Sequence, residues 1–374
     1  MKTKITHLTS AHARYDTRIF LKMCSSLATN DNYQVNLVVA DGKGDEIKNS
    51  VKIVDVGAKT GGRISRMTKT VKKVFQKAVE LNSDIYHFHD PELIPIGLKL
   101  KKLGKKVIFD IHENTDLQIL EKEWIPFFLR KSISYMFRKY EDYSCKKFDL
   151  LIVPQEAMYL KYKKLAKTIV IGNFPNKIEK FDLSLKQSSK FDLLYSGGLG
   201  KARGLFNMLE LINELYKLDS RYKLTLAGKI DERYLEQAKE HIGWKYTNYL
   251  GLLSKDEIYE IYSKNTIGLI LFNNVGQYFM AYSLKLFEYM QNGMYIVMPD
   301  FGDWILFNKN YKVGKNVDTS NAKKTAIKIH ELSKEEILEV GKNNIDKVGE
   351  IFSWESQEKK LFDLYEEIIN VNKI

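Results

Sequence analysis

The sequence predicts an α/β protein of two Rossmann-like domains that face each other across a cleft. Short apolar runs alternate with amphipathic, helix-like stretches almost throughout the 374 residues, and this alternation stops once and then restarts. Such alternation is typical of a parallel sheet that carries helices on both faces. Residues 172–176 (GNFPN) combine glycine, asparagine and proline between the two series. We therefore expect a first domain over 1–172 and a second over 173–349, with a C-terminal helix in 350–374 that packs back on the first.

The individual elements follow from apolar runs and helical periodicity. In the first domain, strands are predicted at 4–8, 34–40, 51–55, 85–89, 106–111 and 150–153, and helices at 17–28, 63–80, 92–102 and 127–146. In the second, strands are predicted at 191–196, 223–227, 247–249, 267–271 and 295–298, and helices at 205–216, 231–241, 255–263 and 284–292, before a closing helix at 354–370. Ligands of open α/β sheets bind beyond the carboxyl ends of the strands. The residues that follow each strand are therefore the candidates for function.

The composition excludes several classes of protein. Hydrophobic residues make up 44% and charged residues 28%, which is typical of neither a disordered nor a membrane-spanning chain. No apolar run approaches the roughly 18 residues of a spanning helix, and the start MKTKITHLTS lacks the apolar core of a signal peptide. The two cysteines, Cys24 and Cys145, form no CxxC pair. We therefore expect a protein of the reducing cytoplasm.

The positive charge is confined to the first half of the chain. Residues 1–172 hold 31 lysines and arginines against 19 aspartates and glutamates, whereas the remainder holds 28 of each. This asymmetry favours an anionic partner on the first domain: a membrane surface, a phosphorylated lipid or nucleic acid. A generally lysine-rich surface is the alternative.

A glycine-rich loop follows the first strand of the second domain. It reads Gly197-Gly198-Leu199-Gly200-Lys201-Ala202-Arg203-Gly204 and leads into a helix. Glycines let the backbone approach a phosphate, the helix amino end favours negative charge, and Arg203 can bind a diphosphate through its guanidinium fork. Without further context, the same loop is typical of any strand-to-helix turn.

The segment 282–293 (YSLKLFEYMQNG) supplies that context. Lys285 and Glu288 are three residues apart on a helix and share one face. A carboxylate suits the two hydroxyls of a ribose, and a lysine suits phosphate. The alternative is a surface ion pair of little energetic value.

Both segments resemble the donor site of glycosyltransferase family 4, whose fold is GT-B. The resemblance lies in "YSGGL", followed by "RGL", and in "KLFEYM" with a glycine after it. It implies that Glu288 binds ribose, that Arg203 holds the diphosphate and that Lys285 lies near the phosphates. Gly197, Gly198, Ser283 and Leu284 are assigned to the same donor site. Two departures are visible: Gly198 stands where many members have arginine, and Met280 where many have a glutamate that touches the transferred sugar.

Polar residues also follow two strands of the first domain. His89 and Asp90 end one strand, and His112 and Glu113 end the next. One alternative is that Asp90 and Asn114 only cap helices, and His87 is interpreted as a core histidine. The segments "HFHDPELIPIG", "VIFDIHE" and "YDTRIFLK" resemble the same family. The resemblance implies that His112 lies beside the transferred sugar and is catalytic together with Arg203 and Lys285. His89, Asp90, Glu113 and His12 are assigned to the acceptor side; His12 stands where the family often has a glycine loop.

The function that the resemblance implies is retaining transfer of a sugar from a UDP- or GDP-sugar to a lipid-linked or oligosaccharide acceptor, in synthesis of a capsule, O-antigen or other surface polysaccharide. No metal-ligand cluster is visible in the sequence, so we expect a metal-independent enzyme without a cofactor. A sugar-nucleotide epimerase of the same fold, a non-catalytic glycan-binding subunit and a nucleic-acid-binding protein remain alternatives, although no nucleic-acid module is recognisable.

The segment 121–147 interleaves aromatic and basic residues. A basic, aromatic-rich amphipathic helix suits an anionic lipid interface. An ordinary helix that faces the core is the alternative. We expect peripheral attachment at the inner face of the cell membrane.

Overall fold

The computed structural model describes residues 2–122, 124–177, 189–279 and 282–370, and the chain forms two compact units. The first unit runs from the amino terminus to Asn173 and includes the chain from Trp354 onward. The second unit is Phe174–Ser353. Each unit is built on one sheet.

The first unit contains an eight-stranded sheet in the order β3-β4-β2-β1-β5-β6-β7-β8. All of its neighbouring strands are parallel except β3 and β4, so the expectation of a wholly parallel sheet is wrong at this edge. The strands are β1 Thr3–Leu8, β2 Tyr33–Val39, β3 Glu46–Lys48, β4 Val51–Asp55, β5 Ile85–Phe88, β6 Lys106–Asp110, β7 Leu150–Val153 and β8 Thr168–Val170.

Helices cover both faces of this sheet. They are α1 Ser25–Leu27, α2 Arg63–Ser65, α3 Val71–Leu81, α4 Ile94–Lys102, α5 Thr115–Glu121, α6 Phe127–Cys145 and α7 Glu156–Tyr162. Two π-helical turns, Thr17–Cys24 and Arg66–Thr70, precede α1 and α3, and a 3-10 turn, Pro91–Leu93, precedes α4. Alternate side chains of the buried strands enter two separate apolar clusters; Leu37 belongs to one and Val38 to the other.

The second unit contains a six-stranded parallel sheet in the order β11-β10-β9-β12-β13-β14. Its strands are β9 Asp192–Ser196, β10 Lys223–Ala227, β11 Thr247–Gly251, β12 Ile267–Leu269, β13 Tyr295–Pro299 and β14 Gly314–Val317. Its helices are α8 Leu205–Leu218, α9 Leu235–Glu240, α10 Lys255–Lys264, α11 Leu284–Gln291, α12 Asp303–Tyr311, α13 Ala322–His330 and α14 Lys334–Glu350. Short 3-10 turns lie at Glu232–Tyr234, Ile242–Tyr246 and Gly276–Phe279.

The closing helix α15, Trp354–Asn370, belongs to the first unit. Its apolar side chains recur at Leu361, Leu364, Tyr365 and Ile368, which is the spacing of one helical face. All four enter the same apolar cluster as strands β1 and β2.

The strand orders place a switch point in each sheet. In the first, β1 lies between β2 and β5; in the second, β9 lies between β10 and β12. The connections that leave neighbouring strands at such a point run to opposite faces and open a crevice at the carboxyl edge. The loops after β1 and β5 meet there in the first unit, and those after β9 and β12 in the second.

Candidate functional site

The glycine loop of the second unit follows β9 and leads into α8. Gly204 is the residue before α8 and has φ of 77°, and Gly197 has φ of 120°. A Cβ at position 204 would lie 1.9 Å from the carbonyl oxygen of Leu271. Only glycine fits this approach between the loop and the segment after β12. The amide groups at the start of α8 therefore stand beside the switch point.

Arg203 lies exposed over this loop. Its Nε donates to the Tyr278 hydroxyl over 3.2 Å, and its Nη1 donates to the Gly198 carbonyl over 3.4 Å. A Cβ at position 198 would lie 2.7 Å from Arg203 Nη1. The absence of a side chain at Gly198 therefore makes room for the Arg203 guanidinium group.

Lys285 is buried at the start of α11. Its ammonium group donates to Ser283 Oγ over 3.1 Å and lies 4.9 Å from the centre of the Tyr195 ring. Burial, together with the nearby charge of Arg203, lowers the pKa of Lys285 to about 7, although Glu288 acts in the opposite sense. Lys285 therefore gains or loses its proton near neutral pH, and an anion beside it would favour the charged form.

Glu288 is half-buried on α11, one turn after Lys285. Its Oε2 accepts a hydrogen bond from the Tyr262 hydroxyl over 3.0 Å, and Tyr262 lies 2.7 Å from Ser196 Oγ at the end of β9. These contacts orient the carboxylate relative to the glycine loop. Ser283 and Leu284 stand at the start of α11, where first-turn amides have no partner within a helix.

Asp90 holds together the loops after β1 and β5. Its carboxylate is buried and accepts hydrogen bonds from Thr9 Oγ1, Ser10 N and Ala11 N, over 2.8, 2.6 and 3.1 Å. It also pairs with His12 Nδ1 over 2.8 Å. Burial lowers the pKa of His12, whereas the hydrogen bond to Asp90 and the negative charge of Asp90 raise it. The net effect is a raised pKa. Both carboxylate oxygens of Asp90 are thus occupied within the first unit, and its acceptor-side assignment stays a prediction in which Asp90 would shape the pocket by fixing these loops.

Asp110, at the end of β6, accepts hydrogen bonds from three other side chains. Arg18 donates from Nε and Nη2 over 2.9 and 2.7 Å, while His112 Nε2 and His89 Nδ1 lie 2.8 and 3.1 Å from Oδ2. Arg18 also donates to the Ile171 carbonyl. The charges of Arg18 and His112 hold the pKa of Asp110 well below its usual range despite its burial. Asp110 is therefore an anion that orients His112.

His89 is fully buried and bonded at both nitrogens, because its Nε2 lies 3.0 Å from His7 Nδ1. The acceptor-side assignment of His89 stays a prediction, and with both nitrogens occupied His89 would shape an acceptor pocket from beneath. His112 keeps 18% of its side chain exposed and lies next to His12, with ring centres 5.1 Å apart. Glu113 is exposed and accepts from Gln118. The structure thus brings His12, His112 and Glu113 to one edge and places His89 and Asp90 beneath it.

Two alternative interpretations concern the residues near this edge: helix capping by Asp90 and Asn114, and a core position for His87. Neither Asp90 nor Asn114 makes a side-chain cap bond at the helix it precedes, so the capping interpretation is wrong. Asn114 Oδ1 instead accepts from Lys161. His87 lies in the core as expected, with Nδ1 2.7 Å from the Tyr365 hydroxyl.

Side chains that can bind a metal ion do lie close together in the fold, although no metal-ligand cluster was visible in the sequence. One set is His89, Asp110 and His112, and the other is His7, His87 and His89; within each, the donor atoms lie within 4.8 Å of one another. Arg18 already supplies positive charge to Asp110 at 2.7 Å. The rings of His87 and His89 are stacked, so their lone pairs do not converge on one ion. Both sets fit a hydrogen-bonded network better than a metal centre.

Helix α6 exposes most of its apolar side chains. Phe127 is 80% exposed, Phe128 78% and Met136 69%, and burial begins only at Glu141. The core-facing interpretation of this helix is therefore wrong for most of residues 127–140, although Phe137 packs against the apolar core of the first unit. Among the described residues, no helix is long and apolar enough to cross a membrane.

Several residues of the two sites were not identified from the sequence. Arg18 and Asp110 lie within the segments YDTRIFLK and VIFDIHE, so the family resemblance could have drawn attention to them. Tyr262 had no such signal, because its role depends on α10 packing beside α11. Met280, the second departure from the family pattern, lies outside the described residues.

Comparisons with known proteins agree with this architecture. The profile "Glycosyltransferase Family 4" matches residues 17–173, and "Glycosyl transferases group 1" matches residues 176–346. Among solved structures, sucrose-phosphate synthase from Thermosynechococcus elongatus is 16% identical, with 99% of this chain and 100% of that chain covered and a TM-score of 0.77. A glycosyltransferase from Rickettsia africae is 16% identical over 98% and 99%, with a TM-score of 0.72. Anabaena HepE in complex with UDP and glucose is 14% identical over 98% and 100%, with a TM-score of 0.70. No curated protein sequence matches the chain.

Proposed function

The chain is a glycosyltransferase of family 4 with the GT-B fold, and on that premise we propose that it is a retaining enzyme of surface polysaccharide synthesis. The donor is a nucleotide-diphosphate-sugar, and the acceptor is a lipid-linked glycan at the membrane. The observation that carries the donor assignment is the arrangement of Glu288, Lys285 and Arg203 around one glycine loop at the switch point of the second sheet.

Each part of the donor matches a group of the second unit. The carboxylate of Glu288, oriented by Tyr262, suits two ribose hydroxyls. Arg203 and the start of α8 suit a diphosphate, because a guanidinium fork and helix amides both donate to phosphate oxygens. The solved HepE structure holds UDP and glucose, which supports UDP as the first nucleotide to examine.

The leaving diphosphate determines what the site does chemically. When the bond between sugar and phosphate breaks, negative charge develops on the phosphate, and Arg203 and Lys285 stabilise that charge. Attack of the acceptor hydroxyl on the same face of the sugar retains the anomeric configuration, and the departing phosphate oxygen takes the hydroxyl proton. Two cations near the phosphates can supply the charge that a metal supplies elsewhere, so we include metal independence in the proposal.

The membrane assignment rests on helix α6. Phe127 and Phe128 are exposed at its start, and lysines and arginines accompany its exposed aromatic residues. Aromatic side chains at the lipid boundary, with basic groups toward anionic headgroups, bind a helix to the surface of a bilayer. This placement would bring the first unit to a lipid-linked acceptor.

The activity is tested by incubating the protein with a UDP-sugar, a GDP-sugar and lipid-linked acceptors from a bacterial membrane extract, with and without EDTA. The proposal predicts a glycosylated lipid with the anomeric configuration of the donor, in equal yield with EDTA. Inverted product would contradict retention, and loss of activity with EDTA would contradict metal independence. Release of an isomerised sugar without an acceptor would favour the epimerase instead.

Membrane attachment is tested by flotation with vesicles of phosphatidylcholine alone or mixed with phosphatidylglycerol. Wild type is expected to float only with the anionic vesicles. Replacing Phe127 and Phe128 by serine should abolish flotation, because each buried phenylalanine contributes about 2 kcal/mol. The matched control is Ile351→Ser, which removes a 43% exposed apolar group at the end of α14. Flotation of the Phe127/Phe128 variant at the level of the control would contradict the assignment.

A further inference from the structure

The glycine loop of the second unit is bonded to the segment that follows β12. Asn273 N donates to the Ala202 carbonyl over 3.0 Å, and Asn273 Nδ2 donates to the Lys201 carbonyl over 2.6 Å. The same segment continues into the 3-10 turn that carries Tyr278, whose hydroxyl accepts from Arg203 Nε over 3.2 Å. One segment therefore holds the backbone before Arg203 as well as the Arg203 side chain.

Tyr278 is itself fixed by the core of the second unit. Its carbonyl accepts a hydrogen bond from Trp304 Nε1 over 2.9 Å, and its ring lies 4.8 Å from the ring of Phe272. Trp304 and Phe272 are at most 1% exposed. A Cβ at Gly302 would lie 2.0 Å from the Phe279 carbonyl oxygen, so the backbone of the turn packs directly on the start of α12. The Tyr278 hydroxyl is therefore presented to Arg203 from a well-packed support.

The two glycines at the start of the loop lie between two cations. A Cβ at Gly198 would lie 2.7 Å from Arg203 Nη1, and a Cβ at Gly197 would lie 3.1 Å from Lys285 Nζ. The Gly198 carbonyl accepts from the Tyr195 hydroxyl over 3.0 Å and from Arg203 Nη1 over 3.4 Å. A side chain at either glycine would press on one of the cations, so the loop makes room for both.

Arg203 and Lys285 repel each other when both are charged. In the described part of the chain, the charged and titratable groups that face Lys285 are Arg203, Glu288 on its own helix and Tyr195 on β9. Burial and the charge of Arg203 lower the pKa of Lys285, whereas Glu288 raises it. Because Arg203 is exposed and water can solvate it elsewhere, this repulsion favours a guanidinium group that turns away from the loop. The hydrogen bond to Tyr278 opposes that movement.

We infer that Tyr278 is a positioning residue: its hydroxyl, together with the space at Gly198, holds the Arg203 guanidinium group beside the double glycine before any ligand arrives. A diphosphate then meets an arginine that is already in place, and less side-chain entropy is lost on binding. The inference rests on the proposed function in naming the diphosphate. The position of Arg203 in the ligand-free protein does not depend on it.

The titration of Lys285 in the ligand-free protein reports where the Arg203 charge lies. It is followed by carbon NMR of the full chain labelled with ¹³C-lysine, with the Lys285 signal assigned by its loss in Lys285→Met. In Tyr278→Phe the guanidinium group is no longer held, so its mean distance from Lys285 grows. We therefore expect Lys285 to titrate at a higher pH in this variant than in wild type, because less positive charge lies beside the amine.

Tyr282→Phe is the matched control, because it removes a nearby hydroxyl that donates instead to the Asp303 carbonyl over 3.0 Å. This variant should leave the titration of Lys285 unchanged. In an Arg203→Gln background, Tyr278→Phe should have no further effect on the titration, because the guanidinium charge is already absent. An unchanged titration in a folded Tyr278→Phe protein, or an equal rise in the control, would overturn the inference.

Calorimetric titration with UDP measures the consequence for binding. Tyr278→Phe should weaken the affinity about fivefold, which is the effect of one ordinary hydrogen bond. Gly198→Ala should act in the same direction, because its Cβ would displace the guanidinium group. In the Arg203→Gln background, Tyr278→Phe should change nothing further, since Tyr278 acts through Arg203. Equal losses in both backgrounds would show a merely structural role and would overturn the inference.

The two experiments separate this inference from the proposed function. If wild type binds no nucleoside diphosphate, the proposed function is contradicted, and the ligand-free titration of Lys285 still supports or overturns the role of Tyr278. If wild type binds UDP and Tyr278→Phe matches it in both the affinity and the titration of Lys285, the inference alone is overturned.

Discussion

The hydroxyl of Tyr262 donates to Glu288 Oε2 over 3.0 Å, and the same hydroxyl lies 2.7 Å from Ser196 Oγ. One tyrosine of α10 thereby connects a carboxylate of α11 with the end of β9. The contact fixes the direction of the carboxylate before any ligand arrives, and such preorganisation lowers the cost of binding.

The first prediction concerns this contact. Tyr262→Phe should weaken nucleotide binding about tenfold, because it removes a hydrogen bond to a charged group, typically about 1.5 kcal/mol or more. Glu288→Gln should weaken binding further, since it removes the charge that the ribose hydroxyls would contact. Calorimetry measures both. Tyr222→Phe is the control, because it removes a buried hydroxyl of the same unit that lies 3.3 Å from His330 Nδ1. Equal affinities for Tyr262→Phe and wild type would refute the role of Tyr262.

The second prediction concerns the uptake of a proton by Lys285 when a diphosphate binds. The pKa of Lys285 is lowered to about 7, so at about pH 8 most of the amine is neutral in the free protein. A bound diphosphate favours the charged form and raises the pKa, so binding should take up as much as one proton. Titration calorimetry at pH 8 in buffers of different ionisation enthalpy reports this uptake. Lys285→Met should take up none; uptake that persists in this variant would assign the proton to another group.

The third prediction concerns the loop backbone. Gly204 combines a positive φ of 77° with a carbonyl oxygen 1.9 Å from where a Cβ would stand. Gly204→Ala should therefore destabilise the protein by at least about 2 kcal/mol. Gly200, in the same loop, has no atom within 4 Å of an added Cβ, and Gly200→Ala should cost less than about 1 kcal/mol. Chemical denaturation followed by fluorescence compares them, and similar midpoints for both variants would contradict the loop geometry.

The fourth prediction concerns stability and pH. Glu141 is buried on α6, and burial raises its pKa to about 7 although the Tyr162 hydroxyl donates to its Oε2 over 2.7 Å. The pKa of Glu141 in the folded protein lies above the ordinary value of 4.5, so the folded state favours the protonated carboxyl group. Its contribution to the free energy of unfolding is complete below about pH 4.5 and is lost as the pH rises through 7.

Glu141→Gln should remove this dependence, because glutamine does not ionise. Unfolding free energies measured from about pH 5 to pH 8 should fall more for wild type than for the variant, by up to roughly 3 kcal/mol at 1.36 kcal/mol per pKa unit. Parallel curves for the two proteins would show that Glu141 is not the group responsible. Glu156→Gln, at the start of α7, is an exposed control.

Elements with a clear local pattern of apolar residues were predicted from the sequence, and elements without one were mostly missed. Strands β7 and β10 were located to the residue, because β7 is a continuous apolar run and β10 alternates apolar with polar residues. The short edge strands β3, β8 and β14 were missed, since three or four residues with mixed burial carry no clear pattern. Helices α12 to α14 were also missed, although α14 has a clear start at Ser333.

The candidate site residues show the same contrast between local patterns and contacts that are distant in sequence. Glu288, Lys285 and Arg203 stood in local segments and could be named from them. The burial of His89 and Asp90 could not be foreseen, because it depends on the loops after β1 and β5 folding over the strand ends. Arg18 and Asp110 are 92 residues apart in sequence, and only the parallel order of β1, β5 and β6 brings them together.

The central claim is that the second unit binds a nucleoside diphosphate through Glu288, Arg203 and Lys285. Its most direct test is calorimetric titration of the wild-type protein with UDP, GDP, CDP and ADP, repeated with Glu288→Gln. The proposal predicts saturable one-to-one binding of at least one of them, weakened about tenfold or more in the variant. Binding of none of the four, or equal binding to wild type and Glu288→Gln, would contradict it.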